Sequence, residues 1–241
     1  MVAGIDVVVI ASADIEWRAI RKIKSNSQVQ HSPFGEFFAE SITSGNRVLD
    51  IIYFQGGWGK ISAAASCQYV IDKWKPNLLI NLGTCGGITG RINRGEIVLV
   101  NRTIVYDLFE QMGDAEKVIN HYTTDLNLSW LREPYPLDVI TGLMVSADRD
   151  LMPGDLISLQ KRFRAIAADW ESGSIAFVAS RNQIPCLILR GVSDLVNEQR
   201  GEAYGDIAIF ERSAGRIMSS LINTLPAWLG RVDFSRIEND F

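Results

Sequence analysis

The residues in this chain whose types and spacing suit chemistry are two glycine-dense segments and a small set of separated carboxylates. Gly56-Gly57-Trp58-Gly59-Lys60 precedes a helical stretch, and Gly83-Thr84-Cys85-Gly86-Gly87 follows the apolar run Leu78-Leu79-Ile80-Asn81-Leu82. The second reads as a turn at a strand end, where glycines let the backbone bend and its N–H groups converge on an anion or a hydroxyl. Taken alone, Gly-x-x-Gly-Gly is equally an ordinary tight turn. It matches neither a dinucleotide fingerprint nor a phosphate-binding Walker loop, since neither spacing occurs. Ser193-Asp194 ends the apolar run Leu187-Ile188-Leu189-Arg190-Gly191-Val192. A carboxyl at the carboxyl edge of a sheet and partly withdrawn from water keeps its proton and can act as a general acid; the plainer reading is a helix cap. Glu171 follows Asp169-Trp170. An ionised carboxylate accepts only, and can serve both hydroxyls of a vicinal diol, or simply favour the start of a helix. Glu16, after Ser12-Ala13-Asp14, is a third candidate or one more solvated helix charge.

The elements that must position these groups alternate. Short apolar runs predict strands at 7–10, 48–54, 78–82, 97–100, 140–145, 165–168 and 187–192, and helical periodicity predicts helices at 15–24, 60–73, 155–163, 172–182 and 207–225. Strands alternating with helices give an α/β fold, a sheet with helices on its faces. Residues 107–135 are the most polar and irregular and read as a loop or partner-facing flap, and 233–241 as a charged, mobile tail.

Composition fits one compact enzyme domain of 241 residues, 47% apolar and 22% charged, with a net charge of −4. That balance argues against a nucleic-acid surface, which needs a basic stripe. The apolar stretch 7–11 is too short to span a membrane and has no basic leader, so it reads as a buried strand, with no membrane partner expected. Cys67, Cys85 and Cys186 are odd in number, lack metal spacing and suit a reducing cytoplasm. With only His31 and His121, neither a histidine triad nor a metal site is expected.

Together, Ala168-Asp169-Trp170-Glu171-Ser172-Gly173 and Arg190-Gly191-Val192-Ser193-Asp194 resemble the signature of the nucleoside phosphorylase and nucleosidase superfamily, most like its 5'-methylthioadenosine/S-adenosylhomocysteine nucleosidases. The similarity runs from Val7 to a helix ending near Leu225. It implies a single domain spanning 1–241, with a twisted mixed central sheet flanked by helices. It also implies hydrolysis of a purine nucleoside without cofactor or metal. The glycosidic bond breaks through an oxocarbenium-like state, so the site must protonate the base, hold the ribose and place a water under C1'. On this resemblance Asp194 protonates the purine N7, with Ser193 beside it, Glu171 binds the ribose hydroxyls, and Glu16 polarises the water. Trp170 stands where methionine is usual, Thr84 meets the ribose or the water, and Gly86 lies in the same segment.

Departures fall on the base side. Ser146-Ala147-Asp148-Arg149-Asp150-Leu151 replaces a motif whose aromatic packs on the purine and whose next backbone reads the adenine edge, so Asp150 replaces the ring and Leu151 inherits the backbone role. Ala13 replaces a methionine, and Tyr204 matches an aromatic that closes over the base. Asn81 stands where the related phosphorylases carry a phosphate-binding arginine. The alternatives are a phosphorylase gathering phosphate with Arg18, Arg190 or a neighbouring subunit's arginine, and a nucleoside-binding module without catalysis. A homodimer is expected through 107–112, where Leu108, Phe109 and Met112 lie among charges.

Overall fold

The computed structural model describes residues 4–240, with side chains described through Ile237. In chain order the strands are β1 (Val7–Ala11), β2 (Gln30–His31), β3 (Glu36–Ser44), β4 (Arg47–Gln55), β5 (Leu78–Ile88), β6 (Ile97–Val105), β7 (Thr123–Asp125), β8 (Val139–Ser146), β9 (Ala167–Asp169) and β10 (Cys186–Val196). The helices are α1 (Asp14–Ile23), α2 (Gly59–Trp74), α3 (Ala115–His121), α4 (Leu156–Phe163), α5 (Ser172–Arg181), α6 (Ile207–Leu229) and α7 (Phe234–Asp240).

All ten strands join one mixed sheet. β1 is parallel to β4 and β5, and β5 to β10, while β3 folds back antiparallel on β4. The central strand β1 is apolar along its whole length, as burial on both faces requires: Val7–Ala11 is buried throughout. β5 and β10 are each 11 residues long and outrun β1, so their distal halves pair elsewhere. β10, β6, β8, β9 and β5 thereby close into a ring, because β10 also pairs with β5. Helices cover both faces. Trp17 and Ile20 of α1 and Ile217, Leu221 and Leu225 of α6 share one cluster with β1 and β4, while Ala63, Cys67 and Val70 of α2 meet Ile175 and Ala179 of α5 on the other face.

Four expectations change. Gly83–Gly87 is not a turn: it is the second half of β5, bonded to β10 on one side and β9 on the other. The residues 233–240, read as a charged tail, contain regular structure. Phe234–Asp240 is helical, with Phe234 and Ile237 buried in the α6 cluster; its two apolar residues, spaced i to i+3, seat it despite the charges around them. Phe241 lies outside the described residues. The polar stretch 107–135 contains α3, capped by the Asp114 carboxylate, and β7, an added strand on β6. β2 and β3, absent from the sequence reading, complete the edge of the sheet; β3 turns back into β4 at Gly45, φ +59°.

Candidate active site

A buried guanidinium organises the site. Arg190, fully buried on β10, lies 3.0 Å from Asp169, 3.8 Å from Glu16 and 4.0 Å from Glu171, so elements far apart in sequence bring their carboxylates to one cation. Its Nη2 donates to Asn81 Oδ1 at 2.7 Å and Nη1 to the Thr84 carbonyl at 3.4 Å. The Nε contact with Asp169 is close but lacks hydrogen-bond alignment. Burial opposes the charge on Arg190, but Asp169, Glu16 and Glu171 outweigh it and raise its pKa. Gly83 makes this possible: a Cβ there would come 2.0 Å from Arg190 Nη1 and 2.7 Å from Glu16 Oε1. The glycine run therefore lets β5 pass close to a charge cluster, a role open to a strand glycine as well as to a turn.

Glu16 is 2% exposed, in the first turn of α1. Its Oε1 accepts from Thr84 N at 2.6 Å and Thr84 Oγ1 at 2.8 Å, and its Oε2 from Ala13 N at 3.1 Å. Ala13 thus contributes a backbone donor, and the Thr84 hydroxyl is spent on Glu16. A carboxylate has about four lone-pair sites, so one remains for a further donor.

Glu171 is buried and accepts from Gly59 N at 3.1 Å. Burial pushes its carboxyl up to about 8; Arg190 pulls down, Asp169 and Glu16 push up, and the Gly59 bond pulls down. Asp169 also receives bonds from Ser146 Oγ and from Ser172 N and Oγ, which fixes the start of α5 and aims Asp169 at Arg190.

Asp194 occupies an irregularity. β10 pairs Val192 with Cys85 and then Asp194 with Gly86, leaving Ser193 as an extra residue; such a bulge re-aims the next side chain. Asp194 is buried, and burial is the main reason its carboxyl holds a proton more firmly than an ordinary aspartate. Ser193 Oγ lies 2.6 Å from Asp194 Oδ1 and 3.1 Å from the Cys85 carbonyl, with one hydrogen to serve either. Gly86 sits between Asp194 and Ala168 of β9.

The structure thus brings Glu16, Thr84 and Glu171 around Arg190, with Ala13 bonded to Glu16, Ser193 and Asp194 further along the same strand β10, and Gly86 paired with Asp194 on β5. The remaining candidates form the rim. Asp150 is exposed on the loop after β8, and its charge reaches Asp194 and Tyr204, raising both, behind burial as the main cause. The Tyr204 hydroxyl donates to the Leu151 carbonyl, so that backbone oxygen is engaged by the protein itself. Trp170 is 36% exposed and Trp58, beside Gly59, 64%. Asn81 binds Arg190 and donates to the Ile10 carbonyl. Sequence reasoning gave Asp169 no role, and Arg190 one only in the phosphorylase alternative, as a phosphate collector; their mutual burial was invisible there, although an arginine inside an apolar strand run was a signal that a partner must exist.

A separate groove of about 530 Å³ is lined by Arg94, Asp138, Ser213, Arg216 and Ile217 among others and contains none of Glu16, Glu171 or Asp194; the buried carboxylates, not the volume, mark the site. Among the described residues, no group of three His, Cys, Asp or Glu is arranged to hold a metal ion, and no helix is long and apolar enough to cross a membrane.

The family model described as the phosphorylase superfamily matches residues 7–225. The chain belongs to this superfamily. Among curated relatives it is similar to the 5'-methylthioadenosine/S-adenosylhomocysteine nucleosidase of Maridesulfovibrio salexigens, 27% identical over 75% of this chain and 81% of that one. The nucleosidase of the same name from Buchnera aphidicola is 30% identical over 60% of this chain and 67% of its own. A structure of the Streptococcus pneumoniae nucleosidase with 8-aminoadenine superposes with TM-score 0.73 at 19% identity, covering 95% of this chain and 100% of the other. The Neisseria meningitidis nucleosidase with methylthio-immucillin-A gives 0.70 at 19%, covering 93% and 98%. These superpositions establish the superfamily fold, a single domain with a mixed sheet between helices.

Proposed function

We propose that the protein hydrolyses the N-glycosidic bond of a purine nucleoside, 5'-methylthioadenosine or S-adenosylhomocysteine, releasing adenine and the 5'-substituted ribose. The carrying observation is the charge balance at Arg190: a single guanidinium faces Glu16, Asp169 and Glu171 and is already bonded to Asn81. A phosphate nucleophile needs uncommitted donors and net positive charge, and this cluster offers neither, whereas water needs only an acceptor. Arg18, the other candidate within this chain, is exposed on α1. The curated relatives carry the nucleosidase name, which supports the same reading.

In this mechanism Asp194, whose hold on a proton is strengthened by burial, acts as the general acid and gives a proton to N7 as the base leaves. Glu171 accepts from the ribose hydroxyls, more strongly as positive charge develops on the sugar. Glu16 uses its remaining lone pair to orient the attacking water under C1'. Thr84, Ala13 and Arg190 hold that carboxylate in place. Trp170, Tyr204, Asp150 and the Leu151 backbone border the base and the 5'-group. The deciding assay offers adenosine, inosine, methylthioadenosine and S-adenosylhomocysteine, each with and without phosphate. Free ribose product at a phosphate-independent rate is expected; ribose 1-phosphate formed only with phosphate would convert the reading to a phosphorylase, and binding without turnover to a sensing module.

The protein pairs as a homodimer through 107–112, supported by Phe109 at 83% and Met112 at 97% exposure, while Leu108 turns inward onto the core. A monomer by light scattering at micromolar concentration contradicts this. The buried free thiols Cys67, Cys85 and Cys186 support a cytoplasmic location.

A further inference from the structure

The start of α2 is capped from a distance. Trp58, its N-cap, supplies no side-chain acceptor, and the first turn holds no acidic residue, although a helix start leaves N–H groups in need of partners and favours negative charge. Carboxylates from two other segments fill that need. Gly59 N donates to Glu171 Oε1 at 3.1 Å and Lys60 N to Asp148 Oδ1 at 2.6 Å. Gly59 holds φ +77°, and a Cβ there would stand 2.8 Å from Asp148 Oδ1, so the two acids and the turn fit only with glycine at this place.

The Lys60 side chain closes the arrangement into a ring. Its ammonium pairs with Asp107 and lies 4.0 Å from Asp148 Oδ2. Asp148 N in turn donates to Asp107 Oδ2 at 3.0 Å. Three segments meet here: the start of α2, the chain leaving β6 and the loop leaving β8. The ring reaches Glu171 through the Gly59 amide, one residue from Lys60.

We propose that Lys60 is a positioning residue for the ribose-binding carboxylate: by clamping Asp107 and Asp148 it fixes the start of α2 so that the Gly59 amide stays on Glu171. This rests on the assignment of Glu171 made under the proposed function. Nothing in the general acid step requires Lys60, and its side chain, 21% exposed, is not part of the core.

The groups facing Glu171 are Arg190 from β10, Asp169 from β9, Glu16 from α1 and the Gly59 amide from α2. After burial, Asp169 and Glu16 push its ionisation up, and Arg190 and the Gly59 bond pull it down. Loosening the amide therefore moves the titration of Glu171 to still higher pH and leaves less of the ionised acceptor at neutrality.

The test uses the full chain carrying Lys60→Met, Lys60→Arg or Asp107→Asn. Infrared difference spectra of the ligand-free protein, each taken against the same chain with Glu171→Gln, follow the Glu171 carboxyl directly. In Lys60→Met and Asp107→Asn the midpoint should rise by about one pH unit, the scale of one hydrogen bond to a charged group. With methylthioadenosine at neutral pH, kcat/KM should fall by roughly tenfold, mainly through KM, because fewer molecules carry the ionised acceptor. Lys60→Arg should restore both. A midpoint unmoved in both Lys60→Met and Asp107→Asn overturns the proposal whatever happens to the rate. Since the infrared titration needs no substrate, a native protein without nucleosidase activity would overturn the functional reading alone, and the midpoint would still decide the clamp.

Discussion

Arg190 and Asp150 differ in how their charges are met: polar groups surround Arg190 on nearly every side, whereas Asp150 stands without them. Glu16 accepts three hydrogen bonds from Thr84 and Ala13, and Asp169 is held by Ser146 and Ser172. Asp150, by contrast, is exposed and has no hydrogen-bond or ion-pair partner among the described residues, and Trp58 and Trp170 stand partly in solvent beside the site. A buried charge must be fully satisfied or it costs several kcal/mol, so the end proposed to work on the sugar is fixed as a unit. The end proposed to meet the base and the 5'-group has no such constraint at Asp150 and can vary there. That is where this chain departs from the nucleosidases it resembles.

The largest test of this contrast is Asp194→Asn. It keeps shape and hydrogen bonding to Ser193 but removes the transferable proton, and single-turnover rates should fall by about 10²–10⁴ with nucleoside binding retained. A loss under tenfold would remove Asp194 from the chemistry. Glu16→Gln should be comparably slow, since the amide nitrogen cannot accept from Ala13 N.

Arg190→Met should cost stability rather than only rate, about 3–5 kcal/mol by urea denaturation, because Asp169 and Glu16 lose the cation that compensates them. An equally large cost from a substitution at Asp150 would erase the contrast.

Glu171→Gln should lower kcat/KM by about 10–150-fold, the worth of a hydrogen bond to a charged group, about 1.5–3 kcal/mol. It also carries a pH signature. The folded-state pKa of about 8 lies above the unfolded value of about 4.3, so the folded state binds the extra proton between them. Its contribution to stability is whole below the unfolded value and disappears as pH rises through about 8. Thermal midpoints should therefore drop from pH 6 to about pH 9 in the native protein and drop less in Glu171→Gln; parallel curves would contradict the burial of a neutral acid here.

The smallest effect belongs to the rim. Asp150→Phe should change kcat/KM for methylthioadenosine by only a few-fold, within the roughly 1 kcal/mol expected of an added aromatic contact. Removing the Asp150 charge should also move the Asp194 ionisation down slightly, since Asp150 helps to raise it. A strong gain on methylthioadenosine, in a native protein that prefers another nucleoside, would show that the base and the 5'-group are read differently here.

Much of this was legible in the chain because it is local. The apolar runs at 7–10, 48–54 and 187–192 lie within β1, β4 and β10, and the helices at 15–24, 60–73 and 172–182 differ from α1, α2 and α5 by at most one residue at each end, since periodicity reports burial directly. The carboxylates Glu16, Glu171 and Asp194 became candidates through the family resemblance, since by type and setting alone each also fits a helix cap or a surface charge. β3 escaped notice because its burial alternates irregularly along an edge hairpin, and α7 because two apolar residues among charges give no period.

What the sequence by itself determined is therefore the alternation of strands and helices and a short set of candidate acids. Only the tertiary structure decided what surrounds them. Gly83 reads as a turn residue until Arg190, 107 positions later, needs the space its missing Cβ leaves; Thr84 reads as a substrate contact until its hydroxyl is found on Glu16; and the extra residue at Ser193 becomes a bulge only when β10 is paired with β5. Backbone propensity and periodicity act over a few residues, whereas close approach, charge compensation and strand register are set by partners that only folding brings together.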